Sequence, residues 1–240
     1  MADESNLLGK DEENQKRDDQ AQRSSTSSLP LILSESEEIT EIIQNNTGLS
    51  LSELFMKYKK SVFLVYTSKD EDTYQGSGFF VNSSGLAVSN YHVFQGTTVG
   101  KELIVTYDGS VHKVQSVIEK SIKRDYIIFE VAGIYHNTYI PISSSLGQVG
   151  SNVFVISNPL GLSHTLSQGI ISGYRDSGSM IQTTAEITHG SSGGPLINMK
   201  GEVIGITTAG YGEANLNFAI NIKELKLPRF VTTNNNNHVP

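Results

Sequence analysis

The sequence predicts an all-β fold, and three observations lead to this prediction. About a dozen short runs of β-branched and aromatic residues recur between residues 61 and 221, and turns rich in Gly, Asn, Asp and Ser separate them. Little helical pattern lies between these runs, which argues against a parallel α/β sheet. The 240 residues include no Cys, so the fold depends on its core without disulfides. We therefore expect an antiparallel barrel or sandwich.

The two ends of the chain differ in composition from its body. Residues 1–40 hold ten acidic and four basic side chains, so most of the formal charge of −7 lies there. We expect residues 1–48 to form a mostly disordered, acidic and polar arm, because they bury too little apolar surface to offset the entropy of ordering. The Asn-rich residues 229–240 are expected to be a flexible tail. The nearly neutral body offers no basic surface for nucleic acid.

The first ordered element is predicted to be a helix that begins at Ser50. Glu53 follows at capping-box spacing, and the basic residues Lys59 and Lys60 suit the end of the helix. The predicted strands then follow in order: 61–67, 75–81, 86–89, 102–107, 111–118, 126–131, 152–157, 165–172, 179–184, 195–198, 202–208 and 216–221. Residues 140–150 are predicted to join two β units.

The sequence indicates no membrane element and no bound cofactor. The longest apolar runs are the size of strands, whereas a spanning helix needs about 20 residues. No secretory signal is visible in the first thirty residues, which predicts a cytoplasmic location. No group of His, Cys, Asp and Glu has the spacing of metal ligands, so we expect neither a metal nor another cofactor.

The segment from Gly190 to Pro195 carries the strongest chemical signal. Its G-x-S-x-G pattern also occurs at the nucleophile of α/β-hydrolases. That interpretation fails, because those enzymes place the acid and the His after the Ser, and no Asp follows Ser192 here. The residues after Ser192 also read as a hairpin rather than as the required helix.

Suitable partners for Ser192 lie upstream, in the order His, Asp, Ser that trypsin-like double-barrel enzymes use. His92 ends an apolar strand, and Asp125 begins another. A Ser hydroxyl becomes a nucleophile when an imidazole takes its proton, and a carboxylate orients that imidazole. Glycines beside Ser192 let the backbone turn its amides inward, so those of Gly190 and Ser192 are expected to form the oxyanion hole.

Six segments occur in an order that is specific to one family. They are Gly76-Ser77-Gly78-Phe79-Phe80, Ser89-Asn90-Tyr91-His92-Val93, Asp125-Tyr126-Ile127-Ile128, Asn158-Pro159-Leu160-Gly161-Leu162 with Gly169-Ile170-Ile171-Ser172-Gly173, Gly190 to Pro195, and Asn217-Phe218-Ala219-Ile220. Together they resemble the protease domain of the HtrA/Deg family of trypsin-like serine proteases, over about residues 52–225. No PDZ domain follows in this sequence, and Ser191 stands where the family usually has Asn and digestive proteases have Asp. Ser191 offers no carboxylate to a newly cut N-terminus, so we do not expect activation by N-terminal cleavage.

The resemblance implies a trypsin-like double antiparallel β-barrel over residues 49–228. It implies two six-stranded barrels, at about 60–140 and 150–225, with His92, Asp125 and Ser192 in the cleft between them. The resemblance also implies that the protein is a serine endopeptidase, which cleaves extended or unfolded polypeptides through an acyl-enzyme intermediate. The alternative is a catalytically latent peptide-binding module on the same fold. Relatives also trimerise through N-terminal aromatics, for which Phe55 and Tyr58 are the candidates.

Further residues are candidates for contact with substrate. Glu186 lies six residues before Ser192, where the base of the primary specificity pocket falls in trypsin-like folds, although a solvent-facing loop acid is the favoured interpretation. His189 is near Ser192 in sequence. The segment from Thr207 through Thr208 and Ala209 to Gly210 is expected to present the strand edge that pairs with substrate. Thr208 is also expected to donate a hydrogen bond to Asp125.

Overall fold

A computed structural model describes residues 48–227, apart from 70, 71, 98, 99, 136, 159–163 and 212–215. The predicted arm, except for Gly48, and the predicted tail at 229–240 lie outside the described residues. Part of the Asn158 to Leu162 motif also lies outside them. Among the described residues, no helix has the length and apolar character needed to cross a membrane.

The helix predicted at Ser50 is confirmed as α1, Leu51–Tyr58. The Ser50 amide donates to Glu53 Oε2 at 2.8 Å, and the Glu53 amide donates back to Ser50 Oγ at 3.3 Å. This capping box satisfies amides that have no partner inside the helix. A single 3₁₀ turn, Lys59–Ser61, follows α1 and leads into the first strand.

The first lobe is an antiparallel sheet of seven strands. They are β1 (Val62–Lys69), β2 (Asp72–Phe80), β3 (Leu86–Ser89), β4 (Leu103–Val105), β5 (Val111–His112), β6 (Val114–Ser121) and β7 (Tyr126–Val131), in the spatial order β5-β4-β1-β2-β3-β7-β6. The short helix α2, Tyr91–Phe94, follows β3 and was not predicted.

The strand count of this lobe corrects the expectation of six strands in a closed barrel. The predicted strand 111–118 divides at Lys113, because β5 pairs with β4 whereas β6 pairs with β7 at the opposite edge of the sheet. Strands β5 and β6 are the two edges of the sheet, and only Lys113 separates them in the chain. Because the two edges must therefore lie close together at Lys113, the sheet curls into a half-barrel.

The second lobe is a closed barrel of six strands, as predicted. They are β8 (Asn152–Ser157), β9 (Thr165–Arg175), β10 (Met180–Thr183), β11 (Pro195–Asn198), β12 (Val203–Tyr211) and β13 (Leu216–Asn221), in the order β10-β13-β12-β11-β8-β9. Short 3₁₀ turns, Asp176–Gly178 and Ile222–Glu224, follow β9 and β13. The trypsin-like double-barrel architecture is therefore confirmed.

Successive side chains point to opposite faces of each strand, and the buried core of the described residues accordingly forms three clusters. On β7, Ile127 and Phe129 point into the first lobe, whereas Ile128 faces the second lobe. On β8, Val155 lies inside the barrel and Phe154 faces the first lobe. Because successive side chains point to opposite faces of a strand, each lobe has its own interior and both share a third, larger cluster between them. This shared cluster holds the two lobes together around the cleft.

Candidate active site

The first lobe holds an imidazole and a carboxylate in direct contact. His92 lies on α2, directly after β3, and Asp125 lies in the turn that enters β7. His92 Nδ1 is 2.7 Å from Asp125 Oδ2, and the His92 backbone amide donates to Asp125 Oδ1 at 2.8 Å. Both carboxylate oxygens therefore bind the same residue. These two contacts fix the orientation of the ring and direct its Nδ1 toward Asp125.

The backbone of Asp125 is itself constrained. Its φ of +53° is left-handed, a region that Asp adopts more readily than most residues. Asn90 Nδ2 donates to the Asp125 carbonyl at 2.9 Å, so the segment before His92 also anchors this turn. Thr208 Oγ1, from the second lobe, lies 3.5 Å from Asp125 Oδ2, which is the far limit of a hydrogen bond. The predicted contact between Thr208 and Asp125 is thus present but long.

The imidazole and the carboxylate are open to the cleft. The side chain of His92 is 41% exposed and that of Asp125 is 29% exposed. They line a cleft of about 1210 Å³, together with Met180, Thr208 and Phe218 of the second lobe. A polypeptide segment therefore has access to the ring of His92.

The loop before β11 carries Ser192, which is only 7% exposed. The amides of Ser191, Gly193 and Gly194 donate to the carbonyls of Thr188, Thr207 and Ser191, at 2.8 to 3.0 Å. In the described part of the chain, the amides of Gly190 and Ser192 donate to no carbonyl. Gly190 has a φ of +92°, which few side chains tolerate. The loop thus leaves unpaired the two amides that the sequence assigns to the oxyanion hole.

Close packing brings the Ser192 loop against the segment of His92. A methyl group on Gly76 of β2 would lie 2.7 Å from Val93 Cγ1 and 3.1 Å from the Ser192 carbonyl oxygen. The Ser77 amide donates to that same carbonyl oxygen at 2.8 Å. The residue after His92 and the main chain of Ser192 therefore flank one glycine. The main chain of Ser192 thus meets the segment of His92 at the boundary between the lobes, whereas Ser192 is not among the described residues that line the cleft of His92 and Asp125.

Ser191 is fixed inside the second lobe. Its Oγ lies 2.9 Å from Ser157 Oγ, and Thr207 Oγ1 donates to its carbonyl oxygen at 2.6 Å. Ser191 and Thr207 are both buried. Neutral hydroxyls therefore support the loop at the position where digestive proteases use an Asp.

The predicted substrate-contact residues fall into two groups. Glu186 and His189 are exposed on the loop before Ser192, and neither is among the described residues that line the cleft. Thr207 already exchanges backbone hydrogen bonds with Gly193 and Gly194, so its main chain is occupied. Strand β11 pairs with β12 only as far as Ile206, and this leaves one edge of β12 open from Thr208 onward among the described residues. Ala209 and Gly210 continue the strand along that edge.

Three residues that the motifs alone did not single out take part in the site. Asn90 anchors Asp125, Ser157 binds Ser191, and Ser77 binds the Ser192 loop. Ser77 lies between two glycines of its motif and Asn90 lies two residues before His92, so the motifs marked the neighbourhood of both residues. In the described part of the chain, no group of His, Asp and Glu is arranged to hold a metal ion.

Comparisons with known proteins point to one type of domain. Residues 76–206 match the family model of the trypsin-like peptidase domain. A putative serine protease, HhoA of Synechocystis sp., is 35% identical over 173 residues, which is 63% of this chain and 41% of that protein. Protease Do-like 1, chloroplastic, of Arabidopsis thaliana is 37% identical over 148 residues, or 57% and 33% of the two chains. The similarity to HtrA/Deg protease domains is thereby confirmed.

Two further relatives extend the comparison. A probable periplasmic serine endoprotease, DegP-like, of Rhizobium meliloti is 33% identical over 153 residues, or 61% of this chain and 30% of that protein. The structure of a serine endoprotease from Yersinia pestis superposes with a TM-score of 0.66 at 25% identity, and the match covers 79% of this chain and 69% of that one. The chain spans less than half the length of the curated relatives that it matches here.

Proposed function

The chain belongs to the family of trypsin-like peptidase domains, and from this premise we propose that it is a serine endopeptidase of polypeptides. The observation that carries the proposal is the double contact of Asp125 with His92, beside a loop in which the amides of Gly190 and Ser192 donate to no carbonyl among the described residues. We place the protease domain at residues 49–228, with the triad His92, Asp125 and Ser192.

The proposed reaction begins with attack on the substrate carbonyl carbon by Ser192 Oγ, as His92 Nε2 takes the hydroxyl proton. The carbonyl oxygen becomes an oxyanion, which accepts hydrogen bonds from the amides of Gly190 and Ser192. The C–N bond then breaks, and His92 returns the proton to the leaving amine. Asp125 stays ionised and stabilises the imidazolium that forms between these two transfers.

The second half of the reaction releases the acyl group. His92 takes a proton from a water molecule that attacks the ester carbon, and the same two amides again receive the oxyanion. The C–O bond to Ser192 breaks, and His92 returns the proton to Ser192 Oγ. The products are a carboxylic acid, an amine and the free enzyme.

Extended polypeptide is the proposed substrate class. The open edge of β12 from Thr208 onward supports this proposal, because an added strand needs unpaired backbone groups. Glu186 and His189 stay candidates for substrate contact from the sequence alone, because neither is among the described residues that line the cleft. The cytoplasmic location and the homotrimer through Phe55 and Tyr58 stay predictions.

Labelling with a fluorophosphonate probe tests the proposal. We expect the probe to modify Ser192, as identified by peptide mapping, and we expect no labelling of Ser192→Ala. Ser179→Ala is the matched control, because Ser179 lines the cleft of His92 and Asp125 and its hydroxyl makes only a local hydrogen bond to the Asp176 carbonyl. A folded parent protein that the probe never modifies would contradict the proposal and favour a latent peptide-binding module.

A further inference from the structure

Ser77 on β2 makes an unusual set of hydrogen bonds between the lobes. It is completely buried, with an exposed fraction of 0%. Its amide donates to the Ser192 carbonyl at 2.8 Å, and its hydroxyl donates to the Gly190 carbonyl at 2.8 Å. The same hydroxyl accepts the amide of Asn158 at 3.0 Å. One residue of the first lobe thus binds the second lobe at three points.

We propose that Ser77 is a positioning residue that sets the direction of the oxyanion-hole amides. This inference rests on the proposed function. Ser77 touches neither substrate nor reacting atoms, and it acts through the main chain of Gly190 and Ser192. Its amide and its hydroxyl hold the two carbonyls that belong to those residues.

The direction of the Ser77 hydroxyl is determined by its surroundings. The Asn158 amide donates to Ser77 Oγ and so occupies one lone pair of that oxygen. The hydroxyl proton of Ser77 is therefore available to donate to the Gly190 carbonyl. Asn158 is in turn held by Gln75 Nε2, which donates to its carbonyl at 3.0 Å. Ser77 therefore has one arrangement in which every polar group is satisfied.

The peptide plane between Gly190 and Ser191 is held at both of its ends. Its carbonyl oxygen accepts from Ser77, and its amide, on Ser191, donates to the Thr188 carbonyl at 3.0 Å. The C=O and N–H of a trans peptide point in opposite directions, so these two bonds oppose rotation of the plane together. Gly190 has no side chain to resist such a rotation. Without the Ser77 hydroxyl, the Gly190 carbonyl is free to turn and to displace the amides on either side.

The kinetic test compares Ser77→Ala with the parent enzyme on a peptide substrate. Loss of one oxyanion donor costs about 10²–10³ in kcat, and we expect partial misplacement to cost about 10–100-fold. The loss is expected in kcat, with KM unchanged within about twofold, because the hole acts in the transition state. Affinity for a peptide boronate, whose adduct is tetrahedral, is expected to fall by the same factor. Ser77→Cys keeps a weak donor of similar shape, so its kcat and its affinity for the boronate are expected to lie between those of the parent and those of Ser77→Ala.

A matched control separates positioning from stability. Ser143 is also buried, and its hydroxyl lies within hydrogen-bond distance of the Ser145 carbonyl, at 3.0 Å, and of Glu202 Oε2, at 3.1 Å. None of these three residues is among the described residues that line the cleft. Ser143→Ala is expected to lower the melting temperature by an amount similar to Ser77→Ala while kcat is preserved. Full kcat and full boronate affinity in a folded Ser77→Ala would overturn the inference and leave the proposed function intact.

Hydrogen exchange tests the inference without turnover. In Ser77→Ala, the amides of residues 188–194 are expected to exchange at least about tenfold faster, because the loop loses a hydrogen bond that holds it closed. In Ser143→Ala, the same amides are expected to exchange at the parent rate. Equal exchange in both variants would reject a positioning role for Ser77 whether or not the parent labels with the fluorophosphonate.

Discussion

Replacing Gly193 with Ala tests how tightly the Ser192 loop packs against the first lobe. A methyl group on Gly193 would lie 2.2 Å from the Ser77 carbonyl oxygen and 2.3 Å from Ser89 Oγ. Ordinary contacts between such atoms exceed 3 Å, so the loop must withdraw by about 1 Å. Gly193 also has a φ of +89°, which an L-residue adopts at a cost.

These two effects set the expected magnitude. The left-handed φ costs about 1–2 kcal/mol, and overpacking of a close-packed site adds about 1–3 kcal/mol. We therefore expect Gly193→Ala to lose about 2–5 kcal/mol of unfolding free energy, against a typical total of about 5–15 kcal/mol. A displacement of about 1 Å at the nucleophile is expected to lower kcat by about 10²-fold.

Gly109→Ala separates the two effects. Gly109 has a φ of +82°, and an added methyl group would meet nothing within 4 Å. This variant is expected to lose only about 1–2 kcal/mol and to keep its activity. Unfolding in denaturant measures both free energies, and hydrolysis of a peptide substrate measures kcat. Equal unfolding free energies for the two variants, with full activity in Gly193→Ala, would refute the packing argument.

Three further predictions follow from the structure. Asp125→Asn removes the carboxylate that orients His92 and is expected to lower kcat by about 10³–10⁴-fold in steady-state hydrolysis, so a loss under tenfold would contradict the triad. Burial lowers the pKa of His164 below its ordinary value, although a bond to the Val62 carbonyl opposes this shift. The unfolded chain therefore binds this proton more readily, so stability is full above about pH 6.5 and falls as the pH drops below it. His164→Asn, which suits the left-handed φ of 58° there, is expected to flatten the dependence of melting temperature on pH in this window, and an unchanged slope would argue against it. Leu54→Ala, on the buried face of α1, is expected to cost about 2–5 kcal/mol in denaturant unfolding, and a cost below about 1 kcal/mol would mean that α1 does not pack on the barrel.

The local elements of the fold could be predicted because local sequence determines them. The capping box at Ser50 and the apolar run at Tyr126–Val131 both appear in the structure close to where the sequence places them. The division of residues 111–118 at Lys113 could not be predicted in this way. The β-branched pattern continues through that residue, and only the choice of partner strand changes there. Strand pairing depends on residues far away in the chain, so a local pattern does not contain it.

The candidate site likewise combines residues that local sequence predicts with residues whose role depends on distant parts of the chain. The order of His92, Asp125 and Ser192, with the glycines beside Ser192, was sufficient to select these residues. The role of Ser77 was not visible, because its partners are main-chain groups more than 80 residues away. A hydroxyl has no preferred partner in sequence, and tertiary packing alone decides which carbonyl it meets.

The shared core between the lobes has a consequence for motion. Among the described residues, this cluster holds nineteen buried side chains, against twelve and eight inside the two lobes. A hinge opening would expose part of this shared cluster to water, and exposing apolar surface costs about 25 cal/mol per Å². Widening the cleft by a hinge motion of the lobes would therefore cost a large part of the stability of the domain. Under the proposed function, a folded substrate would first have to release a segment of its own chain, and its rate of cleavage would follow its own local unfolding equilibrium.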